Sequence, residues 1–82
     1  MQPEQIAKLI EAGIPGATAV VDGDGTHFTA VVVSSEFAGK SLLQQHRIVY
    51  GALGERIGGE IHALSMQTFT PEQWQNRRPG GA

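Results

Sequence analysis

The 82-residue sequence predicts an α/β (α+β) domain: a three-stranded mixed sheet with helices on one face, in the order αββαβα. Three observations carry that prediction. Apolar residues recur at helical spacing near the N-terminus and again from Leu42 onward. Two apolar runs flank Asp22-Gly23-Asp24-Gly25, a sequence suited to a hairpin. A helix-length segment then separates the second run from a third. A right-handed crossover makes those last two strands parallel and brings their beginnings to one edge of the sheet.

Residues 3–12 read as the first helix. Pro3 suits the first helical position, and Ile6, Leu9 and Ile10 fall on one face. Gly13 offers a left-handed stop, and Pro15 prevents continuation. Residues 17–21 form a weak strand, and the Asp and Gly residues at 22–25 tolerate the positive φ of a hairpin. Residues 27–34 give the clearest strand. Its β-branched residues occupy both parities, as expected of a middle strand covered on more than one side.

Phe37-Ala38-Gly39-Lys40 is a turn, and Ser41 caps the next helix. Leu42, Val49, Leu53 and Ile57 recur at helical spacing, which extends this helix over about four turns through Arg56, to a stop at Gly58-Gly59. Residues 61–69 form the third strand, with the mixed polarity of a sheet edge. Thr70-Pro71-Glu72-Gln73 then combines a Thr cap, Pro at the first helical position and Gln three residues after the cap. Trp74 packs that last turn onto the body. Residues 1–76 therefore make one domain, and residues 77–82 read as a flexible tail.

The hydrophobic fraction of 40% and formal net charge of -2 fit an ordinary globular chain. With no cysteine, the chain has neither a disulfide framework nor a thiolate metal site of its own. The longest apolar stretch, Ala30-Val31-Val32-Val33, is far short of a membrane span, and the N-terminus lacks the order of a signal peptide. A cytoplasmic location with no membrane partner is the expectation. No strong basic excess announces a nucleic-acid binder.

His27 opens the second strand and His62 stands near the head of the third. Parallel pairing places both on a common rim, where two imidazoles distant in sequence could serve one metal centre.

Several segments follow one another in a familiar order. They are Gly23-Asp24-Gly25-Thr26-His27-Phe28, Val32-Val33-Ser34 with Phe37-Ala38-Gly39-Lys40, and His46-Arg47-Ile48-Val49-Tyr50, then Ile61-His62-Ala63-Leu64 and Thr70-Pro71-Glu72-Gln73-Trp74. This pattern, over residues 5–74, resembles the BolA family. The resemblance implies a fold like the type II KH domain and partnership with a monothiol glutaredoxin in iron–sulfur trafficking. It implies a two-iron two-sulfur cluster shared with the glutaredoxin and glutathione, with no cofactor in the isolated chain. For some members it also implies roles in transcription and stress response. His27 falls where the family carries histidine or cysteine in the loop before the second strand, and His62 falls on its C-terminal histidine. Gln45 departs from the pattern, since the family often has arginine just before the histidine of the long helix.

Each candidate has a second account. A neutral His62 imidazole can bind iron and, in place of a thiolate, raises the potential of a two-iron cluster. The residues alone favour a strand histidine packed beside Leu64 and Met66, and the resemblance reverses that order. His27 serves either as a second ligand or gate, or as a hairpin residue. His46 lies in line with Leu42 and Val49 and reads as a half-buried helix histidine. With Lys40, Arg47, Arg77 and Arg78 it could also join a nucleic-acid or partner surface. That surface supports the alternative, a DNA-binding transcriptional regulator, although a solvated helix face with a loose basic tail is the preferred account.

The two GxxG strings, Gly13-Ile14-Pro15-Gly16 and Gly51-Ala52-Leu53-Gly54, do not lie between two helices as a KH loop requires. A calcium loop starting at Asp22 fails because Val33 occupies its twelfth position. No Walker loop, HExxH or G-x-S-x-G string occurs, so no enzymatic activity is expected. Alone, the chain is expected to be a monomer or a weak homodimer.

Overall fold

The computed structural model describes residues 1–77. Within them, α1 (Pro3–Gly13), β1 (Thr18–Gly23), β2 (His27–Val33), α2 (Leu42–Leu53), β3 (Ala63–Phe69) and α3 (Pro71–Asn76) follow in the expected order. The sheet order is β1-β2-β3, with β1 antiparallel and β3 parallel to β2. The alternating residues Phe28, Ala30 and Val32 of β2 are buried. They form one core with Ile6 and Ile10 of α1, Val49 and Leu53 of α2, and Ile14, Phe37 and Ile61 from the connections.

The core explains two corrections to β2 and α1. On β2, His27 and Thr29 are exposed while Val31 and Val33 are half-buried, so only one face of the middle strand is covered. Val31 owes its partial burial to its neighbours Val20 and Gln67, and Val33 to Thr18 and Phe69. At the end of α1, Gly13 remains helical and has no positive φ. A Cβ at Gly13 would stand 2.7 Å from the Ala52 Cβ, so glycine is needed for close helix approach.

A short 3₁₀ turn, Ser35–Phe37, follows β2 and buries Phe37. The buried Ser34 hydroxyl donates to the Pro15 carbonyl at 3.0 Å and accepts from the Glu36 amide at 3.1 Å. These bonds satisfy a polar group that would otherwise be costly in the core.

Ser41 caps α2: its hydroxyl accepts from the Gln44 amide, and the Gln44 side chain accepts from the Ser41 amide. The helix stops at Leu53, earlier than spacing suggests, because Gly54 takes φ 60° at its end. A 3₁₀ turn, Gly54–Arg56, follows, and Ile57 is half-buried beyond it. Leu42, placed by spacing on the buried face, is 63% exposed; packing begins a turn later, at Gln45. The third strand also starts late. Ile61 pairs with Ile57 in an isolated bridge, while its amide donates to the Arg56 carbonyl and its carbonyl accepts from the Gly58 amide. This closed loop bends the chain at His62, and β3 begins at Ala63.

The reciprocal Thr70–Gln73 cap forms as expected. Trp74 is half-buried, its ring centroid 5.3 Å from that of Phe69. Arg77, assigned by sequence to the tail, lies 3.7 Å above the Trp74 ring. Residues 78–82, including Arg78, lie outside the described residues.

Candidate functional site

The parallel register decides where the two histidines fall. His27 pairs with Ala63, and the Ala63 amide donates to the Thr26 carbonyl at 3.3 Å. His62, the residue before Ala63, is therefore beside the head of β2, across a strand spacing of about 4.8 Å. Both histidines are exposed on this rim. The expected packing of His62 beside Leu64 and Met66 does not form: those two are half-buried, whereas the bend leaves His62 in solvent.

His27 is held by its own hairpin. One Asp24 carboxylate oxygen, Oδ1, accepts from the amides of Thr26 (3.0 Å) and His27 (2.9 Å) and from the Thr26 hydroxyl (3.1 Å). These bonds stabilise the carboxylate and lower the Asp24 pKa from 3.8 to about 2, the His27 amide contributing most. The Asp24 amide in turn donates to the His27 carbonyl at 3.2 Å. Thr26 Oγ1 also lies 3.1 Å from His27 Nδ1. The Nε2 side of the ring has no protein hydrogen bond among the described residues. Gly25 supplies the turn with φ 103°.

No cluster of three or more His, Cys, Asp or Glu residues suited to a metal forms among the described residues. Two exposed imidazoles on one rim, in a chain without cysteine, therefore make a partial donor set. They fit a metal group whose remaining ligands come from a partner, and cannot by themselves complete a four-ligand shell.

The basic residues do not join this rim. Six residue steps separate His27 from Val33, about 20 Å at a strand rise of 3.3 Å. Lys40 lies beyond the Val33 end, its amide bonded to the Phe37 carbonyl, and Arg47 is exposed on α2. Arg77 is stacked on Trp74 after β3. His46 is half-buried, and its Nε2 is sealed from solvent with no hydrogen-bond partner. It does not present that nitrogen to a surface ligand.

Sequence reasoning missed the work of Gln45. Its amide donates to the carbonyls of Phe37 (3.2 Å) and Lys40 (2.9 Å), and its oxygen accepts from the Thr68 hydroxyl. It thus ties α2 to the preceding loop and to β3. Thr26 was also missed as a partner of His27, although the Asp-Gly-Thr-His string is the kind that makes such side-chain-bonded turns. No helix among the described residues is long and apolar enough to cross a membrane.

Comparison with known proteins agrees with the geometry. Human BolA-like protein 1 is 53% identical over 60 residues, which are 73% of this chain and 44% of that protein. The chain thus spans less than half the length of that relative. The Escherichia coli protein called DNA-binding transcriptional regulator BolA is 38% identical over 53 residues, 65% of this chain and 50% of its own. The structure of a BolA homologue from Coxiella burnetii superposes with a TM-score of 0.87 at 39% identity, covering 93% of this chain and 99% of that one. The BolA family model, described as BolA-like protein, matches residues 11–73. With the fold, the order of its segments and most of its length in agreement, the chain belongs to the BolA-like family.

Proposed function

We propose that the protein is an adaptor that docks a monothiol glutaredoxin and contributes histidine ligation to a bridging two-iron two-sulfur cluster. The observation that carries this reading is the β2–β3 register, which brings His27 and His62 to one exposed rim in a chain with no thiolate. His62 is the principal ligand, free in solvent at the bend, and His27 assists from a pinned hairpin. The glutaredoxin cysteine and glutathione supply the remaining ligands. Neutral imidazole in place of a thiolate lowers the net negative charge of such a cluster and raises its potential. The role fits iron–sulfur trafficking or regulation linked to iron and stress.

The test mixes the chain with cluster-loaded monothiol glutaredoxin and follows visible absorption and circular dichroism. The wild-type chain changes both spectra. His62→Ala loses most of the change and His27→Ala a smaller part. A full change with His62→Ala would remove His62 from the coordination shell.

A second reading is supported by the Escherichia coli relative's name: DNA binding through Lys40, Arg47 and Arg77. Lys40 stands about 20 Å from the histidine rim, so a cluster bound there would not cover it directly. DNA affinity that falls steeply as salt rises would support this reading, because phosphate contacts release counterions. Affinity indifferent to salt would end it.

A further inference from the structure

We propose that Asp24 and Thr26 hold His27 in its Nδ1–H tautomer, so that Nε2 is the atom the ring presents for coordination. An ionised Asp24 carboxylate can only accept hydrogen bonds. The single Thr26 hydroxyl proton therefore points to Asp24 Oδ1, 3.1 Å away. The Thr26 oxygen is then left with lone pairs, and His27 Nδ1 lies 3.1 Å from it. Two lone pairs facing each other at that distance repel, whereas a proton on Nδ1 turns the contact into a hydrogen bond. The second Asp24 oxygen, 4.0 Å from Nδ1, favours the proton on the same nitrogen.

The opposite assignment would have Thr26 donate to Nδ1 and release the carboxylate. It exchanges a charge-assisted bond for a neutral one. The Asp24 carboxyl, held down to about 2 by its amide donors, stays ionised throughout the neutral range. Exposed imidazole in water ordinarily favours the other tautomer, with the proton on Nε2. The hairpin thus reverses the usual preference and also fixes the ring's direction. Metal-bound histidines are commonly oriented by such a bond from the nitrogen that does not bind. Asp24 and Thr26 are positioning residues, and their bearing on coordination rests on the adaptor reading above.

The tautomer is read without any metal. The chain, labelled with ¹⁵N-histidine and held at a pH well above the ordinary imidazole value of about 6.5, is examined by two-bond ¹H–¹⁵N correlation of the ring protons. His27 is expected to show an unprotonated Nε2, and His62 the ordinary Nε2–H pattern. Thr26→Val should shift His27 to the pattern of His62, and Thr26→Ser should keep it. Wild-type His27 already in the pattern of His62, or a pattern indifferent to Thr26→Val, would overturn the proposal. The glutaredoxin assay separates the two ideas. A locked tautomer with a full spectral change in His27→Ala refutes His27 as ligand and leaves the hydrogen-bond relay standing. An unlocked tautomer with a spectral loss in His27→Ala does the reverse.

Discussion

Gly13 of α1 meets Ala52 of α2 so closely that an added Cβ would lie 2.7 Å from the Ala52 Cβ and 3.1 Å from its Cα. The two GxxG strings that are misplaced for nucleotide binding therefore touch each other, and the first glycine of one packs against the alanine of the other. Gly13→Ala sets two effects in opposition. Better helix propensity gains at most about 1 kcal/mol, and overpacking costs about 1–3 kcal/mol. The obstruction includes backbone, so overpacking wins, with an expected net loss of about 1–2 kcal/mol. Adding Ala52→Gly should recover most of it, as judged by urea midpoints of the single and double variants.

Gln45 gives a second expectation. Its three side-chain bonds join the 37–40 loop, α2 and β3. Gln45→Ala should cost about 2 kcal/mol, because partners in a partly buried setting lose their bonds. Gln45→Arg, which restores the residue frequent in related sequences, can still donate to both carbonyls but cannot accept from Thr68. It should fall between the two in a denaturant series, with Thr68→Val harmless only in the Arg background.

His46 is expected to respond in the opposite direction. Its Nε2 is buried without a partner, and an unsatisfied polar atom costs about 1–3 kcal/mol. His46→Leu removes that atom and should raise stability by about 1 kcal/mol in thermal or urea unfolding. A loss of stability would instead mean that an internal water satisfies the ring.

Asp24 sets the pH dependence of the hairpin. Its folded pKa is depressed from 3.8 to about 2. The stabilisation it brings is therefore fully present above about pH 4 and is lost as pH falls through 2. A ¹³C titration of its carboxyl should show a midpoint near 2. Asp24→Asn should weaken that acid dependence and loosen the amide protection of Thr26 and His27. A midpoint at the ordinary carboxylate value would show that the hairpin bonds do not persist in solution.

The elements legible in the sequence were those governed by neighbours a few residues apart. The Thr70–Gln73 and Ser41 caps, the Asp-Gly hairpin and the apolar face of α1 all depend on local backbone geometry. The parallel pairing of β2 and β3 was also legible, because crossover handedness leaves one arrangement. Boundaries were less so. The Gly54 turn ended α2 before Ile57, and the Ile57–Ile61 bridge delayed β3. Both depend on how the loop closes on itself, which apolar spacing does not encode.

The sequence by itself determined the element order and the shared edge on which His27 and His62 stand. It did so because periodicity, turn chemistry and crossover handedness act along the chain. Only the tertiary structure decided that His62 sits at a bend in solvent, that Gly13 serves a helix contact, and that Thr26 lies between Asp24 and His27. Those outcomes rest on separations of about 3 Å set by packing and hydrogen bonding in three dimensions, and residue spacing does not specify them.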